Sequence, residues 1–464
     1  MIDPASFRDP SGFVYHKGDD VFRAVTSLYR EDYDALMNSG LYSHLVEKGY
    51  LIRHQEINAS DDFERTYYKI IQPEKVAFIS YPYEWCFSQL KDAAILTLEI
   101  EKSALEFNMT LKDASAYNIQ FHKGKPIHID TLSFERHVEN KPWQAYKQFC
   151  EFFLGPLALM SFVDHRLALL LKEFINGIPL ELTSTLLPFR SKFKIGIYLH
   201  LILHSKYQHR YTFEKKRKQI TRDQKLSKKS LLHLIDNLLN TVKSLNVKNA
   251  KTEWADYYEA GIQSQTYLKH KESIVSDFLD FVKPSTVCDL GANDGRFSRL
   301  AASKNCTVTS LDSDWRCIED NYKDVKQQGI QNILPLIIDL TNPSGGTGWD
   351  NNERVPIFNH QRTSPFDVMM ALALIHHIAI SNNIPLDQIA GFFAKNCRWL
   401  IIEFVPKEDE KVIYLLEGRV DIFSDFSVTG FEAAFSKYFI IEKRTELIDS
   451  VRRLYLMKSK ITAA

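Results

Sequence analysis

The first rhythm along this chain is an alternation of apolar and polar positions over residues 12–25, interrupted by Lys17-Gly18-Asp19-Asp20, and it predicts a hairpin. Helical periodicity follows over 26–48, then β-like runs at 50–57, 67–71 and 76–80, then a helical stretch over 87–108. Residues 142–208 read as helical and carry large apolar side chains, among them Trp143, Phe149, Phe152, Phe153 and Leu157. Further helices are expected over 230–247 and 272–282. Beyond them the pattern becomes regular, with apolar runs at 287–290, 307–311, 333–338, 366–371, 399–405, 438–442 and 453–457. Seven strands with intervening helices, filling roughly residues 254–458, predict an α/β domain preceded by an α+β region.

Length supports that division, since 464 residues exceed what one hydrophobic core usually serves. The 58 basic and 58 acidic side chains cancel, which argues against capture of nucleic acid by the whole molecule. One local exception is the run from Lys215 to Lys229, with eight cations opposed only by Asp223. It reads as a solvated linker, with an RNA or phosphate contact as the alternative. Six scattered cysteines form no C-x-x-C pair and predict reduced, buried thiols; no metal site is expected. The first residues lack a basic segment followed by an apolar one, and the longest apolar run, 195–203, is interrupted by His200. A soluble, cytoplasmic protein with no membrane partner is the expectation, and the oligomeric state stays open.

Candidate chemistry starts at 287–300, Val-Cys-Asp-Leu-Gly-Ala-Asn-Asp-Gly-Arg-Phe-Ser-Arg-Leu. A short strand runs into a glycine turn and then a helix, so the backbone turns sharply at Gly291 and Gly295 and approaches a ligand closely. Asp289 is placed to receive a positively charged or hydroxyl group. Asp312 lies 23 residues further on, the length of one strand-helix-strand unit. The D-x-G-x-x-x-G pattern resembles the first motif of class I S-adenosylmethionine-dependent methyltransferases, which implies a Rossmann-like sheet of seven strands. The resemblance implies that Asp289, Gly291, Ala292, Asn293 and Gly295 cradle S-adenosylmethionine and that Asp312 binds both ribose hydroxyls. It further implies that Asp339 and Leu340 face the adenine and that Ala371 and Leu372 complete the pocket. Tyr258, Tyr267 and Lys271 precede the first strand, where such enzymes close over the methionine part of the cofactor; core or surface packing is the alternative.

Ala371-Leu372-Ala373-Leu374-Ile375-His376-His377 follows the fourth strand as a small-residue and histidine pattern does in many of these enzymes. Either His376 or His377 is a candidate general base, the alternative being a structural pair capping the next helix. Glu403, ending the fifth strand, is a candidate contact to an acceptor amine or hydroxyl, or else a partner for an arginine such as Arg419. The Gly/Ser-rich loop over 343–348, followed by Asn351-Asn352-Glu353-Arg354, has the composition of a mobile lid. The wording of 371–385 and of 400–407 resembles bacterial methyltransferases of the NoeA nodulation type. No Asn-Pro-Pro-Tyr or Asp-Pro-Pro-Tyr run follows the fourth strand, which weighs against exocyclic amines of nucleic-acid bases as acceptors.

A second pattern lies over 111–130, where Asp113, Asn118 five residues later and Asp130 beyond a short hairpin resemble the catalytic segment of protein kinases and aminoglycoside phosphotransferases. There the first acid orients the acceptor hydroxyl and the other two groups hold magnesium. The match is incomplete: no glycine-rich phosphate loop is visible, Leu111 replaces the usual histidine, and Arg23 stands where a lysine is expected. The alternative is a turn with solvated carboxylates. The expected organisation is a degenerate kinase-like domain over 1–210, a basic linker and bridging helix over 211–250, and a methyltransferase domain over 251–464. The expected activity is methyl transfer to a small-molecule or glycan-like acceptor. An RNA-directed methyltransferase and a bifunctional phosphotransferase-methyltransferase are the alternatives.

Overall fold

The computed structural model describes residues 2–206, 227–247, 252, 264–359, 362, 365–418 and 420–461. The chain divides into two units: Met1–Asn249 with Gly346–Val355, and Ala250–Gly345 with Pro356–Ala464. Most of the Lys215 to Lys229 run, together with Tyr258 and Arg419, lies outside the described residues.

In the first unit, β1 (Gly12–Lys17) and β2 (Asp20–Val25) form the expected hairpin. With β3 (His54–Ile57) and β4 (Lys69–Pro73) they make a sheet in the order β1-β2-β4-β3. The single helix expected over 26–48 is two, α1 (Arg30–Asn38) and α2 (Leu41–Glu47), because Gly40 takes φ 85° and stops the first. Residues 76–80 are not a strand. Their backbone is held by a side chain instead: Ser80 N donates to Gln120 Oε1 at 2.8 Å, and Gln120 Nε2 donates to Ser80 O at 2.9 Å. The long helix α3 (Phe87–Glu106) is buried over most of its length, and α4 (Lys228–Ser244) packs against it. Strands β5 (Met109–Leu111), β6 (Ile119–His122), β7 (Lys125–His128) and β8 (Phe134–Arg136) pair as β5 with β8 and β6 with β7. The region expected to be helical over 142–208 is a series of short helices, with π-helical stretches at Cys150–Leu154 and Tyr198–Leu203.

In the second unit the helix α5 (Gln265–Val282) starts seven residues before the expected position because Ser264 caps it, its hydroxyl accepting from Tyr267 N. Then come β9 (Thr286–Leu290), α6 (Arg296–Ala302), β10 (Thr307–Asp312), α7 (Trp315–Gln328), β11 (Ile333–Ile337), β12 (Phe366–Ala371), α8 (Leu386–Asn396) and β13 (Cys397–Phe404). The helices α9 (Glu410–Leu416) and α10 (Val428–Phe435) precede β14 (Phe439–Glu446) and β15 (Arg453–Ser459). All seven expected strands lie in one sheet, in the order β11-β10-β9-β12-β13-β15-β14. The first five run parallel and β15 is antiparallel to both its neighbours. Alternation on both faces is absent because both are covered: Val287, Val308, Val368, Met370, Ile401 and Leu456 share one buried cluster with Val275, Phe278 and Leu279 of α5. The chain proceeds outward from β9 through β10 to β11 and then returns to the other side of β9 as β12. A crevice therefore opens at the carboxyl ends of β9 and β12, where such sheets take ligands. None of the described helices is long and apolar enough to cross a membrane, and all six cysteines are buried thiols.

Candidate functional site

The turn after β9 is built as its glycines require. Gly291 has φ 67° and Gly295 φ 81°, conformations that cost a side-chain-bearing residue strain. The turn hangs on the neighbouring strand, with Gly291 N and Ala292 N both donating to Leu311 O. Asn293, itself at φ 51°, donates its backbone N–H to Asp312 Oδ2 at 2.8 Å, while Asp314 N reaches Asp312 Oδ1 at 2.8 Å. Asp312 is thereby fixed at the strand end and remains partly exposed. Burial raises its pKa to about 6, opposed by those amide donors.

Asp289 is 2% exposed and accepts from Ser298 Oγ at 2.6 Å. Burial is the main reason its pKa is raised to about 7; the Ser298 donor pulls the other way. Across the crevice, a Cβ on Gly291 would stand 3.1 Å from Leu374 Cδ1, so the turn lies against the loop that follows β12. In that loop Ala371 and Leu372 are buried, and Ala373 is held at φ 54°, a strained conformation for alanine. Asp339 is different. It is exposed and turned on its own loop, where it accepts from Thr341 N and Thr341 Oγ1, with Leu340 half-buried beside it.

His376 is 2% exposed and its Nδ1 has no hydrogen-bond partner. Burial pushes its pKa far below the ordinary value, with His377, Arg452, Lys411 and Lys271 adding positive charge nearby. His377, half-buried with its ring 4.1 Å from that of His376, is lowered to about 4 by burial and by Lys411 and Arg452. Both imidazoles are neutral at neutral pH.

Glu403 corrects the reading of that residue as an acceptor contact. Its carboxylate is wholly buried and enclosed: Lys271 Nζ lies 2.5 Å from Oε2, Tyr267 Oη donates to Oε1 at 2.7 Å, and Arg452 Nη1 lies 3.3 Å from Oε1. No face is left for an acceptor. Burial opposes ionisation of Glu403, but the two cations outweigh it and its pKa falls. The same contacts place Tyr267 and Lys271 in a packed charge cluster, with Arg452 extended by a two-bond pair to Asp409 at 2.6 and 3.0 Å. Arg452 and Asp409 carried no motif in the sequence. An acid at a strand end pointed to an arginine partner, and Arg452 is one; Arg419, offered as an example, lies outside the described residues.

The lid reading also changes. Gly346–Val355 belongs to the first unit. Glu353 is 3% exposed and bound through both carboxylate oxygens by Arg8, and the Arg354 guanidinium lies 4.0 Å over the Tyr117 ring. In the segment 111–130, Asp130 lies 2.5 Å from Arg23 Nη1, and Arg23 holds its carboxyl below the usual range against burial. Asp113 accepts from Gln148 Nε2 and Ser115 N, and Asn118 Nδ2 donates to Ser133 Oγ. The three residues are each occupied by protein partners, and the position that would hold a metal in a phosphotransferase faces an arginine.

No family model matches the sequence. The chain is 33% identical over 455 residues to the nodulation protein NoeA of Rhizobium meliloti (strain 1021), covering 97% of this chain and 94% of that protein. Among solved structures, it is similar to the N-methyltransferase NodS from Bradyrhizobium japonicum WM9 in complex with S-adenosyl-L-homocysteine, at 11% identity, TM-score 0.33, 45% of this chain and 100% of that one. It is also similar to the bifunctional kinase-methyltransferase WbdD, at 16% identity, TM-score 0.30, 47% of this chain and 45% of that one.

Proposed function

The chain belongs to the family of the nodulation protein NoeA, and from that premise we propose that it is an S-adenosylmethionine-dependent methyltransferase acting on a small-molecule or glycan-like acceptor. The observation that carries the reading is the pair of acids at the ends of adjacent parallel strands, Asp289 and Asp312, with the left-handed turn of Gly291 and Gly295 between them. Two carboxylates flanking a left-handed glycine turn suit a ligand bearing both an ammonium and a diol. Bound there, the cofactor supplies an activated methyl on a sulfonium. The chain's part is then orientation: Asp312 and the turn backbone fix one end of the ligand, and Ala371 and Leu372 wall the crevice against water.

If the acceptor loses a proton, His376 is the group placed to take it. Its Nδ1 is buried without a partner in the segment that follows β12, and its neutral form is the one able to accept. The first unit supports acceptor recognition in this reading, since Arg23 neutralises Asp130 in its phosphotransferase-like segment. The test is transfer of tritiated methyl from S-adenosylmethionine to fractionated small molecules and glycans of the source cell. Label that appears in such a fraction, and that is lost with Asp312→Ala, supports the proposal. Label confined to RNA or protein would replace the acceptor class, and no label in any fraction would remove the activity.

A further inference from the structure

Behind Asp289 a line of polar side chains runs through the otherwise apolar interior of the second unit. Asn321 of α7, fully buried, donates from Nδ2 to Ser310 Oγ of β10 at 2.9 Å. The hydroxyls of Ser310 and Ser298 lie 2.9 Å apart, and Ser298 Oγ of α6 reaches Asp289 Oδ2 at 2.6 Å. Ser298, Ser310 and Asn321 are all inaccessible to solvent. Each serine has one proton. Ser298 is the donor towards both Asp289 Oδ2 and Ser310 Oγ, so the two acceptors share its single proton, while Asn321 Nδ2 donates to Ser310 from behind. The four groups come from four different elements and form one buried hydrogen-bonded line that ends on Asp289.

We propose that Ser298, Ser310 and Asn321 are positioning residues of the cofactor site, a buried hydrogen-bond relay through Ser298 that keeps Asp289 oriented and ionised for a cationic or hydroxyl group of the ligand. The inference rests on the reading of this crevice as a cofactor site. Apolar side chains of equal size would fill the same space, and polar ones in a strand-helix layer cost desolvation unless each is satisfied. The relay satisfies the two serines and Asn321 Nδ2, leaves only Asn321 Oδ1 without a partner, and ends on one carboxylate.

The charged and titratable groups facing Asp289 are Asp312 and Asp294, which discourage its ionisation, Lys271, which favours it, and the Cys288 thiol next in the chain. Burial has already raised Asp289 to about 7, so small changes in the relay fall within an accessible pH range. The carboxylate is present above that pH and lost below it, so affinity carried by it declines as pH falls.

The test is calorimetric binding of S-adenosylhomocysteine to the full chain between about pH 5.5 and 9, recording the midpoint of the affinity change. Ser298→Ala is expected to move the midpoint upward by about one unit, the worth of one charge-assisted hydrogen bond. Ser310→Ala, which leaves Asp289 as the sole acceptor of the Ser298 proton, is expected to move it by less and downward, and Ser298→Thr to keep it at the wild-type value. A purely packing role would weaken binding equally at every pH. Midpoints unchanged in both alanine variants would therefore overturn the relay while leaving the cofactor site intact. Wild-type protein that fails to bind S-adenosylhomocysteine at any pH would overturn the site reading and the relay with it. Should Ser298→Ala not fold, Ser310→Ala, which removes one buried oxygen, decides the matter.

Discussion

At the scale of single residues, the site under the proposed cofactor reading divides into groups that would touch a ligand and groups that hold the protein together, and substitutions separate them. Gly291 needs φ 67° and a bare Cα against Leu374, so Gly291→Leu is expected to close the crevice. Asp312→Ala removes a partly exposed carboxylate at the strand end. Each should weaken S-adenosylhomocysteine binding by ~100-fold, the worth of a pair of charge-assisted hydrogen bonds, with the folded circular dichroism spectrum retained. Unchanged calorimetric affinity in both would remove the cofactor assignment. Glu403 belongs to the second group. Glu403→Ala leaves Lys271 and Arg452 buried without their shared counter-ion, and breaking such a cluster costs about 3–5 kcal/mol. Denaturant unfolding of this variant should show that loss, whereas a residue that only contacts acceptor would leave stability unchanged.

At the scale of elements, a buried acid links helix to strand in the first unit. Glu101 in α3 is fully buried and accepts from Leu111 N at 2.6 Å and Thr110 Oγ1 at 2.8 Å, tying the helix to β5. Burial raises its pKa to about 8 despite these donors. The folded state therefore holds a proton that the unfolded chain releases in the ordinary carboxylate range. The associated stability is complete below that range and is lost as pH rises towards 8, at about 1.4 kcal/mol per pH unit. Unfolding measured at pH 6 and at pH 8 should reveal that slope, and Glu101→Gln should flatten it; equal slopes would show that Glu101 is not the group responsible.

Elements were also where the sequence was most and least legible. The seven strands of the second unit could be read because each is a short apolar run ending in a turn or an acid, a signal local to a few residues. In the first unit the break at Gly40 lies inside a continuous helical period, and residues 76–80 look like a strand although Gln120, forty residues away, supplies their hydrogen bonds. The strand-end placement of Asp289 and Asp312 and the left-handed turn of Gly291 and Gly295 were legible through spacing. Ser298, Ser310, Asn321 and Arg452 were not, because serines in a strand-helix layer and an arginine near the carboxyl end acquire meaning only when the sheet brings them to an acid.

At the scale of the whole molecule, the question is what the first unit contributes. Arg23 beside Asp130 supplies a fixed positive charge where a phosphotransferase would place a metal, so no appreciable ATP turnover is expected. Phosphate release that disappears with Asp113→Ala or Asp130→Ala would reverse this and make a bifunctional enzyme the better reading. The sharper test is truncation. The buried cluster around β9, β10, β12 and β13 draws on residues 267–456, and none of its members comes from Gly346–Val355. A fragment starting near Asn249 therefore retains that cluster, the glycine turn and both strand-end acids. It loses Arg8, the partner of the buried Glu353, and Tyr117, the ring beneath Arg354, so the ten-residue segment becomes an exposed loop within an otherwise complete sheet. Such a loop costs little when its ends are already held by strands. The fragment is expected to fold and to bind S-adenosylhomocysteine with near-native affinity, yet to lose most methyl transfer to the acceptor, because shaped recognition of a small polar molecule needs more wall than the sheet alone provides. Calorimetry and tritium transfer on the same preparation separate the outcomes. Loss of both binding and transfer would mean that the cofactor site depends on the first unit for its fold, and full transfer by the fragment would leave that unit with no part in choosing the acceptor.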